Sequence, residues 1–215
     1  MCSRIGIGLG LCTGGPRRLV APALRIGQLP PIDLILVSHA HYDHLDRPTL
    51  CRLNKRATVI APHGTADLIR DLGFRRVCEL RWGQAMRIAS LTITAQKVAH
   101  WGARTFYDDH RGFCAFLIEG DGQRVLYGGD TAYQDYFKQL PKVDLAIVGI
   151  GAYNPHIQGH ATPEQAWEMA NHCRADFVLP MHHSTFRLSH EPDHEPLERL
   201  LTIAGREHDR LVIQD

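Results

Sequence analysis

The segment Ser38-His39-Ala40-His41-Tyr42-Asp43-His44 constrains this chain more than any other feature of it. It sits directly behind the apolar run Ile32–Val37, which reads as a buried strand entered through Pro30-Pro31. Side chains alternate along an extended backbone, so His39 and His41 point the same way and can share one metal ion. Asp43 and His44 follow where the chain has to turn, within reach of a second ion. Imidazole plus carboxylate is the donor set expected for zinc, and it also suits iron or manganese. A histidine-rich surface loop is the competing reading. The position at the end of a buried strand disfavours it, because layered α/β folds build their sites there.

Two ions sharing a bridging group need about seven protein ligands, by the three or four that each ion takes. Three more candidates stand at the ends of apolar runs. His100 follows Leu91–Val98. Asp130 follows Arg124–Tyr127 across Gly128-Gly129, which would let backbone and carboxylate approach an ion closely. His182 follows Phe177–Leu179.

The remaining pattern is mixed. Thr58–Ala61, Val77–Leu80, Ala85–Ala89, Phe113–Glu119, Val143–Val148 and Leu211–Ile213 read as further strands, and Ile5–Leu11 resembles one. Gly120-Asp121-Gly122 between two apolar runs is a hairpin signal. Helices are expected over Gly64–Leu72, stopped by Gly73, over Glu195–Ala204, and from Thr162 to Cys173. Thr162 is a good N-cap there, Pro163 suits the first turn, and Gln165 completes a capping box. No linker, repeat or low-complexity tract interrupts the 215 residues. One domain spanning 1–215, an α/β layered sandwich, is expected.

Several strings resemble the metallo-β-lactamase-fold hydrolase superfamily. They are SHAHYDHLD (Ser38–Asp46), AHW (Ala99–Trp101), YGGDT (Tyr127–Thr131), IGAYNP (Ile150–Pro155), GHATPEQA (Gly159–Ala166) and PMHHSTF (Pro180–Phe186). With GPRRLVAP and LPPID they are most similar to the branch holding N-acyl-phosphatidylethanolamine phospholipase D and ascorbate-phosphate lactonase-like proteins. The resemblance implies a four-layer αββα sandwich. It places His39, His41 and His100 on one metal and Asp43, His44 and His182 on the other, with Asp130 bridging. The ligand in PMHHSTF is His182 or His183, and the family pattern aligns His182. That branch begins with more strands than precede Pro31 here. The first sheet is therefore expected to lack N-terminal strands, through truncation or with another copy of the chain covering the edge.

The implied activity is a binuclear metal-dependent hydrolase, with two divalent ions (zinc, or else manganese or iron) and a bridging hydroxide as nucleophile. The expected substrate is a phosphodiester, as for a phospholipase D, or a related phosphorylated or lactone compound. Asp43 would orient the hydroxide and Asp130 would hold both ions. His160 and His183 are the candidate proton donors to the leaving group. Iron-dependent redox chemistry on the same fold, or a truncated and catalytically silent relative, are the alternatives. Tyr153 would line the pocket or pack in the core. Trp82, Trp101 and Trp167 read as packing residues.

Composition narrows the partners. A formal charge of +1 favours neither nucleic acid nor an anionic membrane. No apolar run approaches the ~20 residues that span a bilayer. The six cysteines form no C-x-x-C pair, which fits a reducing, cytoplasmic setting. A small-molecule or lipid-like substrate and a homo-oligomer are the expected partners.

Overall fold

The computed structural model describes residues 15–213, and the chain within it divides into two compact units. The run Ile5–Leu11 lies outside the described residues.

Unit one comprises residues up to Arg81 together with Trp101–Phe113 and Thr185–Arg187. Its sheet is parallel, in the order β1 (Leu34–Leu36), β2 (Thr58–Pro62), β3 (Arg76–Leu80). Parallel strands need crossovers. α1 (Arg47–Arg52) lies in the first crossover and α2 (Asp67–Arg70) in the second. Asp46 starts α1 by accepting a hydrogen bond from the Thr49 amide at 3.0 Å, with a proline in the first turn. The helix expected over Gly64–Leu72 is shorter than that. Gly64 takes φ +70°, and the Thr65 and Ala66 amides donate to the Glu79 carboxylate on β3 (2.8 and 2.7 Å), so the first turn is spent docking to the sheet. Leu45, Leu50, Val59, Ala61, Ile69 and Phe74 form the unit's core, with Val37 and Ala40.

Unit two holds Trp82–His100, Cys114–Ser184 and Leu188 onward. Its six-stranded sheet runs β4 (Ala85–Ile88), β5 (Leu91–Gln96), β6 (Ala115–Gly120), β7 (Gln123–Tyr127), β8 (Leu145–Gly149), β9 (Phe177–Met181). The first four strands are antiparallel and the last two join in parallel. The β6–β7 hairpin closes over Asp121-Gly122, both at positive φ (50° and 78°), as a two-residue turn requires. α3 (Pro163–His172) provides the β8-to-β9 crossover. It carries the expected capping box of Thr162 and Gln165 and buries Ala166, Trp167, Met169 and Ala170 along one face. α4 (Glu195–Ala204) packs on α3, and Arg199 clamps the Glu164 carboxylate through two nitrogens (2.9 and 2.7 Å). The strand expected at Leu211–Ile213 is only an isolated bridge from Leu211 to Val178.

Among the described residues no helix is long and apolar enough to cross a membrane. Cys51, Cys78, Cys114 and Cys173 are free thiols, the first exposed and the last two buried.

Candidate metal centre

The pairing of β1 with β2 continues one residue beyond the strand, where the Val37 amide donates to the Ile60 carbonyl at 2.9 Å. The loop that carries the candidate ligands His39, His41, Asp43 and His44 starts there. Ala40 and Leu45 are fully buried in the unit's core and pin the loop from beneath. The amides of His44 and Leu45 both donate to the His41 carbonyl (3.1 and 2.8 Å), which folds the segment into a tight turn. His39 Nε2 and His41 Nδ1 approach to 2.9 Å, and Ser38 Oγ lies 3.0 Å from the other His39 nitrogen. The serine therefore engages Nδ1 and leaves Nε2 directed at the space it shares with His41, as a metal ligand needs. The His44 ring lies against that of His39 (4.2 Å between centroids), and His44 Nε2 is 3.3 Å from the Asp43 carboxylate.

One side chain that sequence reasoning missed secures this loop. Arg104 Nη1 donates to the carbonyls of Ala40 (2.7 Å) and Leu45 (2.9 Å), and its guanidinium lies 3.9 Å over the Tyr42 ring. Trp101 meets His41 edge-on at 5.0 Å and stays 45% exposed, so it borders the loop and is no core residue. Beyond Arg104 the chain is braced by Arg111, which bonds Asp108 (2.6 Å), the Gly64 carbonyl (2.6 Å) and Asp67 (2.6 and 3.0 Å). Between the two arginines Phe106 and Tyr107 are fully exposed.

In unit two the candidate ligands come from separate strand ends and gather on Asp130, whose side chain is 2% exposed. Gly128 continues the β7 backbone against β8, and a Cβ there would stand 2.9 Å from the Ile147 carbonyl oxygen; Gly129 then turns at φ +58°. His182 Nε2 is 3.3 Å from Asp130 Oδ2, and His100 Nε2 and His160 Nδ1 are each 3.9 Å from it. The His100 ring is held by its other nitrogen, since Nδ1 donates to the Gly159 carbonyl at 2.8 Å and so fixes the tautomer that presents a lone pair on Nε2. His160 stacks on His182 (5.2 Å, 19°) and meets His100 edge-on (5.1 Å). A carboxylate buried among three imidazoles is a donor set that suits a borderline divalent ion such as zinc.

His182 sits at φ +61°, a conformation uncommon for a residue with a side chain. Gly151 packs directly on its backbone, where a Cβ would come within 2.3 Å of the His182 carbonyl oxygen. His183 turns elsewhere: its Nδ1 meets Ser184 Oγ at 3.1 Å, and that hydroxyl donates to the Asp193 carbonyl. Burial, and then the neighbouring His182, hold the His183 imidazole below its usual value. Tyr153 is a buried packing residue whose hydroxyl donates to Glu195 at 2.7 Å.

Residues 8–183 match the model of the family described as the β-lactamase superfamily domain. The chain is 34% identical to an uncharacterized protein of Mycobacterium tuberculosis, over 90% of this chain and 55% of the relative. It is 31% identical to the mitochondrial N-acyl-phosphatidylethanolamine-hydrolyzing phospholipase D of Saccharomyces cerevisiae, over 89% of this chain and 45% of that one. The chain thus spans about half the length of these curated relatives. Among solved structures, the metallo-beta-lactamase fold protein YhfI of Bacillus subtilis superposes with a TM-score of 0.63 at 22% identity, over 83% of this chain and 75% of the other. That likeness shows the fold, an α/β sandwich with mixed sheets.

Proposed function

This chain belongs to the β-lactamase superfamily, and from that premise we propose that it is a binuclear metal-dependent hydrolase acting on a phosphodiester. The observation that carries the reading is the gathering of His100, His160 and His182 on one buried carboxylate, Asp130. His39, His41, His100 and Asp130 would hold one divalent ion, and Asp43, His44, His182 and Asp130 the second, zinc being the best match to these donors. Bound there, the metal supplies water activated for attack near neutral pH and positive charge opposite the oxygen of the attacked centre.

The protein's own residues do the rest. Ser38 and the Gly159 carbonyl orient His39 and His100 by their Nδ1 atoms, and the carbonyl, which can only accept, also fixes the His100 tautomer. Asp43 accepts a proton or hydrogen bond beside His44, and His160, in ring contact with two ligand histidines, is the group placed to return a proton to the departing alkoxide. His183, turned toward Ser184, is the weaker candidate for that role.

Charge supports an anionic substrate. Among the described residues unit one carries fourteen Lys and Arg against eight Asp and Glu, and unit two nine against fourteen. The formal charge of +1 for the whole chain conceals this division. A cationic unit that also bears the His39–His44 loop raises the local concentration of a phosphodiester. Similarity to a relative named as a phospholipase D points to the same bond type.

Elemental analysis together with a hydrolysis screen tests the reading. The zinc-loaded chain is expected to hold two ions and to cleave bis(p-nitrophenyl) phosphate or N-acyl-phosphatidylethanolamine vesicles in preference to lactones. Absence of bound metal, or faster turnover of lactones than of every diester, would overturn it.

A further inference from the structure

Glu191 is a buried carboxylate, 8% exposed, and no cationic side chain among the described residues pairs with it. Burying a charge is costly unless strong hydrogen bonds replace water. Here those bonds come from two amides of one short stretch, Ala152 and Asn154, and from the nearby Ser189 hydroxyl. Oε1 accepts from the Ala152 amide (2.5 Å) and from Ser189 Oγ (2.6 Å), and Oε2 accepts from the Asn154 amide (3.1 Å). The His190 amide donates to the Asn154 carbonyl at 2.8 Å and adds a third tie to that stretch. The segment so gripped is the strap Ile150–Pro155, in which Ala152 is forced to φ +65°.

The other side of the strap bears on a candidate ligand. The Ile150 amide donates to the Met181 carbonyl at 3.0 Å, and Gly151 lies so close to the His182 carbonyl that no side chain fits between them. The backbone of His182, at its positive φ, thus packs directly on a strap whose far end is fastened by Glu191. Charge-assisted hydrogen bonds to backbone amides are the stronger kind, and they tolerate little displacement.

We propose that Glu191 is the positioning residue for His182: by fixing Ala152 and Asn154 it sets the strap that aims the His182 imidazole at Asp130, and so sets the affinity of the second metal. This rests on the reading of His182 as a ligand. Glu191 touches neither the ion nor the substrate. It acts through the strap, and its removal should separate the two metal sites, which loss of general stability would not do.

The test is stepwise zinc titration of the full metal-free chain against a chelating fluorophore, with thermal melting of each metal-free variant. In Glu191→Ala the second affinity is expected to fall about 10- to 100-fold, the range for groups that orient ligands, while the first stays unchanged. Glu191→Gln fills the same space but turns an NH₂ toward one of the two amides, so an intermediate loss is expected there; it carries the test should the alanine variant fail to fold. His182→Ala serves as reference and should bind one ion fewer. If His182→Ala binds two ions as tightly as the parent chain, the reading of His182 as a ligand fails, and the proposal with it. If His182→Ala loses an ion but the Glu191 variants keep both affinities, or lose both equally, the proposal alone is overturned.

Discussion

In unit one four candidate donors come from a single loop of six residues, whereas in unit two the candidates His100, Asp130 and His182 arrive on three separate connections. The loop is local, and its register follows from the core residues Ala40 and Leu45 beneath it. Its hold from above depends largely on Arg104, whose two short hydrogen bonds and ring contact bridge about sixty positions of sequence. The second half is tied by backbone: a parallel pairing of β7 with β8, a carbonyl on His100, and a glycine wedge under His182. A candidate donor set made from one loop is vulnerable at one side chain. One made from strand ends is vulnerable where the chain crosses, at glycines and at the carboxylate that its imidazoles approach.

Removing that shared carboxylate tests the comparison most severely. Asp130→Ala should strip most of the bound metal and lower hydrolysis by at least about 10³-fold, since loss of a single preorganised catalytic contact already costs about 10²- to 10³-fold. His39→Ala should abolish turnover as well, but with part of the metal retained; equal metal loss in both would break the distinction between the halves. Arg104→Ala comes next, with about 2–3 kcal/mol of stability lost as two carbonyls lose a charged donor. Its metal loss should fall on the His39–His41 side, so a drop shared equally by both ions in the stepwise titration would show that Arg104 is no private clamp of unit one.

A smaller effect belongs to Asp108. Burial alone pushes its carboxyl up, but the Arg111 guanidinium, the Thr105 amide and the Thr105 hydroxyl together hold it at about 2, below the ordinary ~3.9. A depressed carboxylate adds stability above its unfolded value and loses it as pH falls through the folded one. Denaturant melts of metal-free protein should weaken between about pH 4 and pH 2, and Asp108→Asn should flatten that limb. The smallest change is expected from Phe106→Ser and Tyr107→Ser, within about 0.5 kcal/mol in stability, because both side chains stand in solvent. Any larger loss would mean that the brace from Arg104 to Arg111 depends on its tip.

The contrast also explains what the sequence made legible. Donors packed into His39–His44 announce themselves by spacing, and the capping box at Thr162 and the Asp121-Gly122 turn are equally local signals. Asp130 and His182 were legible as residues at strand ends and through the YGGDT and PMHHSTF strings, but not by spacing, since what gathers them is the pairing order of β7, β8 and β9. Arg104 and Glu191 carried no sequence signal, and Gly151 none beyond its place in the IGAYNP string: each acts on backbone atoms contributed by distant residues, and nothing in spacing records such a contact. The helix expected at Gly64–Leu72 shortened for a related reason. The Glu79 carboxylate competes for its first amides, and that competitor arrives on the next strand.

The thiols have a practical consequence. Cys51 is exposed and belongs to unit one, while Cys114 and Cys173 are buried in unit two, where burial pushes the Cys173 thiol up to about 11 and that of Cys114 higher still. Only the thiolate is alkylated, so a pulse of iodoacetamide followed by mass spectrometry reports the opening of the second unit on its own clock, with Cys51 as an internal measure of reagent. Nature has fitted this chain with its own probes of breathing, and no engineered cysteine needs to be introduced to read them.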